Sequence, residues 1–359
     1  MLIHQVIIAA APGDAITSEA LEIRRALRMA GTRSKLFARY IDPSLAGVVV
    51  PLTDYPAVAG ADRAVLLYHA SIGEPEVTRF LQERPERLAV LYHNMSPAEP
   101  FARYDPGFAA KLEEGRKELA TLAPRVSRAL ADSAFNAADL AELGYADIGL
   151  APLIVDLDPL LTAVPHAETV KWQSEVPGPV MLFVGQLLPH KQPDALLQAY
   201  HVLVTYLLPE AHLFLIGAPR LPRYKECLQF FIQELNLTKC GIIKSPVSIG
   251  ELNAYYRRAD AVVTLSGHEG FCVPLLEAMA FGKPILARAA GAVPDTLGGA
   301  GLLIGPEDGT LVAAEAMHEI LTNEPLRTEL VARGRRRLAD FRPERTREVL
   351  FRQLAALEA

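Results

Sequence analysis

The chain has 359 residues, 50% of them hydrophobic and 22% charged, which is more than one ordinary core holds and fits two domains. Its 36 Lys and Arg against 42 Asp and Glu give a net charge of −6; a sequence-independent nucleic-acid binder, which needs a basic surface, is therefore not expected. Three scattered cysteines, Cys227, Cys240 and Cys272, lack CxxC spacing, so neither a disulfide framework nor a structural zinc site is expected, and a reducing compartment is the natural reading.

Residues 6–11 form the first apolar run. No Lys or Arg precedes it and a charged amphipathic stretch follows, so it reads as a buried strand and not as a signal segment. Residues 19–30 predict a helix ended by Gly31. Residues 64–68 and 88–92 are strand candidates, each followed by a polar loop with a histidine. A long helix is expected over 110–128, then short apolar runs at 129–132 and 148–153. Continuous apolar runs alternating with helices indicate a parallel sheet covered on both faces.

The stretch 161–179 changes character, with Pro165, Pro177, Gly178 and Pro179 among polar residues, and reads as an interdomain linker. Alternation then restarts. Strands are expected at 180–184, 212–216, 241–243, 261–265 and 285–287, with helices at 195–207, 224–235, 249–259, 273–281 and 310–321. The predicted organisation is a first α/β domain over 1–160, a second over 180–340, and a last helix over 341–359. Ligands of such sheets bind outside the carboxyl ends of the strands. The tail is Arg-rich, from Arg333 to Arg352, but Glu329, Asp340, Glu344 and Glu348 balance it as a solvated helix face. No apolar run reaches the ~18–20 residues a membrane span needs. A cytoplasmic protein is expected, with room for peripheral contact at the inner membrane face.

The most informative segment is His268-Glu269-Gly270-Phe271-Cys272-Val273-Pro274-Leu275-Leu276-Glu277. It follows a strand and opens a helix. Glu269 sits in the loop and Glu277 about a turn into the helix. The helix N-terminus between them suits a diphosphate, and the two carboxylates can accept hydrogen bonds from sugar or ribose hydroxyls. Taken alone, both glutamates also fit ordinary first-turn and solvated helix positions. In Phe183-Val184-Gly185-Gln186-Leu187-Leu188-Pro189-His190-Lys191, a buried strand delivers Lys191 just before a helix, where an ammonium can face a phosphate. Ala11-Pro12-Gly13-Asp14 is a third strand–turn–helix element, without the full GxGxxG pattern.

Together these segments resemble the retaining glycosyltransferases of the GT-B fold, glycosyltransferase family 4. The likeness extends over roughly residues 180–308, through the Glu269…Glu277 spacing, LEAMAFGKPILA (276–287), GAVPDTLGGAGLLIGPED (291–308) and SIGELNAYYRRADAVVTLS (248–266). In the first half, GDAITSEALEIRRALRMAG (13–31) and LYHNMSPAEPF (91–101) look like members acting in cell-surface polysaccharide assembly. The resemblance implies an α/β GT-B architecture, two Rossmann-like domains facing a central cleft, with the C-terminal helix returning to the first domain. It implies transfer of a mannose- or glucose-type hexose, with retention, from a GDP- or UDP-linked donor to a glycan, lipid-linked or small-molecule acceptor. No further cofactor, metal or nucleic acid is implied.

Residue by residue, the resemblance places Glu277 on the ribose hydroxyls and Glu269 near the donor sugar. The amides of Phe271, Cys272 and Val273 face sugar hydroxyls and diphosphate, and Lys191 neutralises the leaving diphosphate. Gly13 lets its loop approach the diphosphate, and His93 contacts the donor sugar. Pro246 and Val247 flank the nucleobase; His69 is a weaker candidate beside His93. One residue departs from the family pattern: Gln186 stands where an Arg is usual, which replaces a bidentate, always-charged phosphate ligand by neutral donors. Asp156-Leu157-Asp158 is a DxD triplet outside the context in which such triplets hold a metal. Two other readings remain: a non-catalytic GT-B subunit, which Gln186 favours, and a sugar-nucleotide epimerase, for which no convincing acid–base set is found.

Overall fold

A computed structural model of the chain describes residues 2–55, 64–218, 220–243 and 246–357. It contains two compact units. The first comprises Met1–Ala102, Pro106–Val155 and Phe341–Ala359, and the second Arg103–Asp105 and Asp156–Asp340.

The described residues of the first unit form a seven-stranded sheet of β1 (Leu2–Ala10), β2 (Leu36–Ile41), β3 (Val50–Pro51), β4 (Ala64–Ala70), β5 (Arg87–Tyr92), β6 (Val126–Ala131) and β7 (Ile148–Leu150). The spatial order is β3-β2-β1-β4-β5-β6-β7 and every pairing is parallel. All seven residues of β4 are buried, as a strand covered on both faces requires. The order turns at β1, which lies between β2 and β4, so the crevice at the carboxyl ends of β1 and β4 is the place for a ligand in this unit. The helix Ala15–Met29 begins there. Asp14 caps it by accepting from the Thr17 amide at 2.8 Å.

The sequence pattern missed β2 and β3. Arg39 and the polar Tyr40 interrupt β2, and β3 has only two residues. The last helix, Pro343–Ala355, belongs to the first unit. Leu350, Leu354 and Leu357 are buried in one core with Ile3, Ile23, Leu67 and Leu91.

The second unit repeats the plan with six parallel strands: β8 (Val180–Val184), β9 (His212–Ile216), β10 (Cys240–Ile243), β11 (Ala261–Thr264), β12 (Ile285–Arg288) and β13 (Leu302–Ile304). Their order is β10-β9-β8-β11-β12-β13, so this crevice lies at the carboxyl ends of β8 and β11. Phe183, Leu213, Leu215, Val263 and Leu286 pack with the helices on one core.

The stretch 161–179 is not a free linker. It contains the helix Ala167–Ser174 and lies wholly within the second unit. The buried Asn253 amide donates to the Leu160 carbonyl at 2.8 Å, and the His166 amide donates to the Gly250 carbonyl at 3.1 Å. Its prolines mark the ends of short helices packed on the unit. Asp156 likewise has a local task, accepting from the Asp158 amide at 3.1 Å to open the helix Asp158–Thr162. The arginine-rich tail pairs with its own acids: Arg333 with Glu329 and Arg337 with Asp340, each at 2.8 Å, and Arg347 with Glu344 at 3.3 Å. Among the described residues no helix is long and apolar enough to cross a membrane.

Candidate functional site

In the second unit, two loops leave the crevice strands and meet. The loop after β8 carries Gln186, exposed, and then a short 3₁₀ turn, Pro189–Lys191. The loop after β11 carries Glu269. The Gly267 amide donates to the His190 carbonyl at 2.9 Å and ties the loops together. Lys191 Nζ then lies 2.5 Å from Glu269 Oε2. The carboxylate is 5% exposed and the ammonium 22%. Burial works to lower the Lys191 pKa, but Glu269 and then Cys272 outweigh it and hold it above its usual value. A lysine so placed stays charged, with two N–H bonds left for other acceptors.

The helix Val273–Ala280 opens beside this pair. Cys272 precedes it with φ 71°, a left-handed conformation uncommon for a residue with a side chain. Pro274 sits in the first turn, where its missing N–H costs nothing. Burial, and then Glu269, push the Cys272 thiol well above its ordinary pKa, which leaves it neutral. Glu277, one turn on, accepts a hydrogen bond from the Tyr256 hydroxyl. Burial raises the Glu277 pKa and the Tyr256 bond opposes that rise. Tyr256 is fully buried and stacks on Phe281, with ring centroids 5.0 Å apart.

A segment that motif reading did not single out for this role fixes the loop. The Ala292 amide donates to the Glu269 carbonyl at 2.9 Å, and the buried Thr296 hydroxyl donates to the Phe271 carbonyl at 2.7 Å. Gly291 has φ 56°, and a Cβ there would lie 2.2 Å from the Glu269 carbonyl oxygen. Only glycine fits that approach. Arg288, at the end of β12, is committed to backbone carbonyls of Leu265, Pro306 and Asp308. Pro246 is exposed and Val247 half-buried, just before the Ser248 capping box of the helix Ile249–Arg258.

In the first unit, Gly13 takes φ 74° in the turn after β1, and nothing lies within 4 Å of where its Cβ would stand. His93 follows β5 and is turned inward. Its Nδ1 lies 3.2 Å from Glu19 Oε2 and 3.7 Å from Asp132 Oδ2, and its Nε2 lies 2.9 Å from His69 Nδ1. Both ring nitrogens are thus engaged within the protein. His69, buried in β4, also bonds Gln5 Oε1 at 2.9 Å. Glu19, Asp132 and Gln5 were not picked out from the sequence, because no linear motif joins residues brought together by strand adjacency.

Residues 167–337 match the family described as Glycosyl transferases group 1. The chain is 31% identical over 176 residues to a D-inositol 3-phosphate glycosyltransferase of Kineococcus radiotolerans, covering 45% of this chain and 40% of that protein. It is 34% identical over 178 residues to one of Geodermatophilus obscurus, covering 46% and 38%. The chain thus spans well under two thirds of those relatives. Among solved structures, sucrose-phosphate synthase from Thermosynechococcus elongatus superposes with a TM-score of 0.75 at 20% identity, over 99% of both chains. HepE from Anabaena, in complex with UDP-glucose, superposes with a TM-score of 0.76 at 15% identity, over 99% of this chain and 100% of that one. These structural likenesses establish the fold.

Proposed function

Since residues 167–337 form a glycosyl transferases group 1 domain in a chain of GT-B fold, we propose that this protein is a retaining hexosyltransferase of glycosyltransferase family 4. It takes a mannose- or glucose-type sugar from a nucleotide-diphosphate donor, UDP- or GDP-linked. It passes that sugar to a glycan, lipid-linked or small-molecule acceptor in polysaccharide or glycoconjugate synthesis. The observation that carries this reading is the Lys191–Glu269 ion pair, 2.5 Å long, beside the N-terminus of the helix that bears Glu277.

Each group has a task that follows from its chemistry. Glu277, oriented by Tyr256, accepts hydrogen bonds from the ribose hydroxyls. Lys191 and the amides of Phe271, Cys272 and Val273 face the diphosphate, whose charge grows as the glycosidic bond breaks. Glu269 holds Lys191 and accepts from a hydroxyl of the donor sugar. Front-face displacement then needs no protein nucleophile. The donor phosphate oxygen takes the proton of the acceptor hydroxyl as the acceptor oxygen bonds to the anomeric carbon, the bond from that carbon to the phosphate breaks, and the nucleoside diphosphate departs. The protein supplies position and electrostatic stabilisation. Pro246 and Val247 flank the base in this reading. The match to D-inositol 3-phosphate glycosyltransferases covers less than half of each of the two relatives above and lends more to the donor half than to any acceptor.

Gln186 favours one other reading, a non-catalytic GT-B subunit, because loss of a charge-assisted phosphate contact costs about 1.5–3 kcal/mol. Release of free nucleoside diphosphate, measured with UDP-glucose and GDP-mannose across a panel of hydroxylated acceptors, separates the two. Release that depends on acceptor supports transfer. No release with any pair, from a protein that binds the nucleotide, supports the subunit.

A further inference from the structure

The carboxyl edge of the first sheet buries four titratable side chains, and their hydrogen bonds determine where the protons are. The Gln5 amide nitrogen donates to the Ala20 carbonyl at 3.0 Å, so its oxygen is the atom that faces His69 Nε2 at 2.9 Å. An amide oxygen only accepts, so His69 Nε2 carries hydrogen. His69 is fully buried, and burial, then His93, holds its pKa well below the ordinary histidine value. It is therefore neutral, and its Nδ1 is an acceptor. That nitrogen lies 2.9 Å from His93 Nε2, with the two rings inclined by 14°, so His93 Nε2 must donate. His93 Nδ1 faces Glu19 at 3.2 Å and Asp132 at 3.7 Å; at pH 8, above the value of about 7 for Glu19, a lone pair there would confront two carboxylates. It too carries hydrogen.

We infer that His93 is an imidazolium clamped between Glu19 and Asp132, and that it acts as a positioning residue that locks the Gly13 turn and its helix to the ends of β5 and β6. The second half of this inference rests on the glycosyl-transfer reading; the first half does not. The clamp reaches the turn through short links. Glu19 lies in the second turn of the helix that starts at Ala15. Asp14 accepts from both the amide and the hydroxyl of Thr17, at 2.8 and 2.9 Å, and the Thr17 oxygen accepts from the Ala11 amide at 3.1 Å. On the other side, Asn136 donates to Asp132 and accepts from Asn94 at 2.7 Å, which fixes the loops after β5 and β6. Burial alone would deprotonate His93; Glu19, Asp132 and the more distant Asp14 outweigh it and raise its pKa. With both nitrogens occupied, His93 acts on a donor through the geometry of the turn and not by a hydrogen bond of its own.

The test is nitrogen-15 NMR of the histidine rings in the full chain at pH 8, with His93→Gln for assignment. The inference expects both His93 nitrogens at imidazolium shifts and His69 as a neutral ring protonated at Nε2. A pyridine-type nitrogen on His93 would overturn it. For the positioning role, Glu19→Gln is expected to shift His93 toward the neutral form. It should also raise the donor KM about tenfold with a smaller change in kcat, and Glu19→Asp should recover part of the loss. A folded Glu19→Gln with an unchanged donor KM overturns that role. If the wild-type protein transfers no sugar, the glycosyl-transfer reading fails and the NMR result still decides the protonation of His93.

Discussion

Lys191 Nζ and Glu269 Oε2 lie 2.5 Å apart across two loops that leave β8 and β11. The carboxylate is almost wholly buried, and among the described residues this ammonium is its ion-pair partner. The ammonium is more open and retains donors for an anion. Lys191→Ala should therefore leave the buried Glu269 carboxylate unpaired as well as remove a proposed phosphate ligand. Breaking a buried pair by removing one partner costs about 3–5 kcal/mol, and the partial exposure of Lys191 brings the expectation toward the lower end. The melting temperature should fall by several degrees, and transfer should fall about 100-fold or more. Lys191→Met combined with Glu269→Gln should regain much of the stability and none of the activity. Calorimetry and a transfer assay on the three variants check this. Recovery of activity in the double variant would count against the assigned roles.

Tyr256 reaches Glu277 from the fully buried side. Tyr256→Phe keeps the stacking on Phe281 and removes only the hydroxyl. A hydrogen bond to a charged group is worth about 1.5–3 kcal/mol, and part of it is recovered by solvent near a half-buried carboxylate. Donor KM should rise roughly three- to tenfold with kcat little changed. Initial-rate kinetics decide; an equal fall in kcat with KM constant would place Glu277 in the transition state instead.

Gly291 and Gly13 both have positive φ, yet they predict different outcomes. At Gly13 a methyl group meets nothing, so Gly13→Ala pays only the left-handed backbone cost of about 1–2 kcal/mol. At Gly291 the same methyl group would sit 2.2 Å from the Glu269 carbonyl oxygen. Gly291→Ala should move Glu269 away from Lys191, lowering kcat by about tenfold or more as well as the melting temperature. A folded Gly291→Ala with wild-type kcat would show that this packing does not set the position of Glu269.

Burial raises the Glu19 pKa to about 7 from 4.5, with His93 opposing the rise. The folded state thus binds this proton more tightly than the unfolded state. Its contribution to stability is present in full below about 4.5 and is lost as pH rises through about 7. The raised pKa of His93 acts with the same sign, whereas the lowered pKa of His69 opposes it by favouring the fold as pH rises toward 6.5. Glu19→Gln removes the proton dependence of Glu19 itself. Its stability relative to wild type should therefore increase between pH 5 and pH 8, by at most about 1.4 kcal/mol per pH unit. Denaturant unfolding at pH 5, 6, 7 and 8 reads this difference. A gap independent of pH would mean that Glu19 does not titrate in that range.

The alternation of apolar runs was enough to read two parallel-sheet units. The strands over 180–184 and 212–216 occur with the bounds read from the sequence, because buried parallel strands are written as continuous apolar runs. The Lys191, Glu269 and Glu277 positions were legible for a related reason: each lies within a few residues of a strand end or helix start. Tyr256, Gly291 and the cluster of Gln5, Glu19, His69 and Asp132 were not legible as partners. Their meeting depends on which strands are neighbours, and spacing along the chain carries no record of that. The stretch 161–179 misled for a different reason. Proline and glycine mark the ends of packed short helices as well as free chain, and contacts such as Asn253 with the Leu161 carbonyl and His166 with the Gly250 carbonyl distinguish the two here.

The central claim is that the second unit binds a nucleoside diphosphate with Glu277 on the ribose. Thermal unfolding of the wild type and of Glu277→Ala, each with UDP, GDP and ADP at about 100 times the binding constant, tests it most directly. Saturation to that degree adds about 2.7 kcal/mol, a shift of several degrees. The account predicts that one nucleotide raises the melting temperature of the wild type and not that of the variant. Equal shifts in both proteins would contradict the Glu277 contact, and no shift with any nucleotide would contradict the donor site itself.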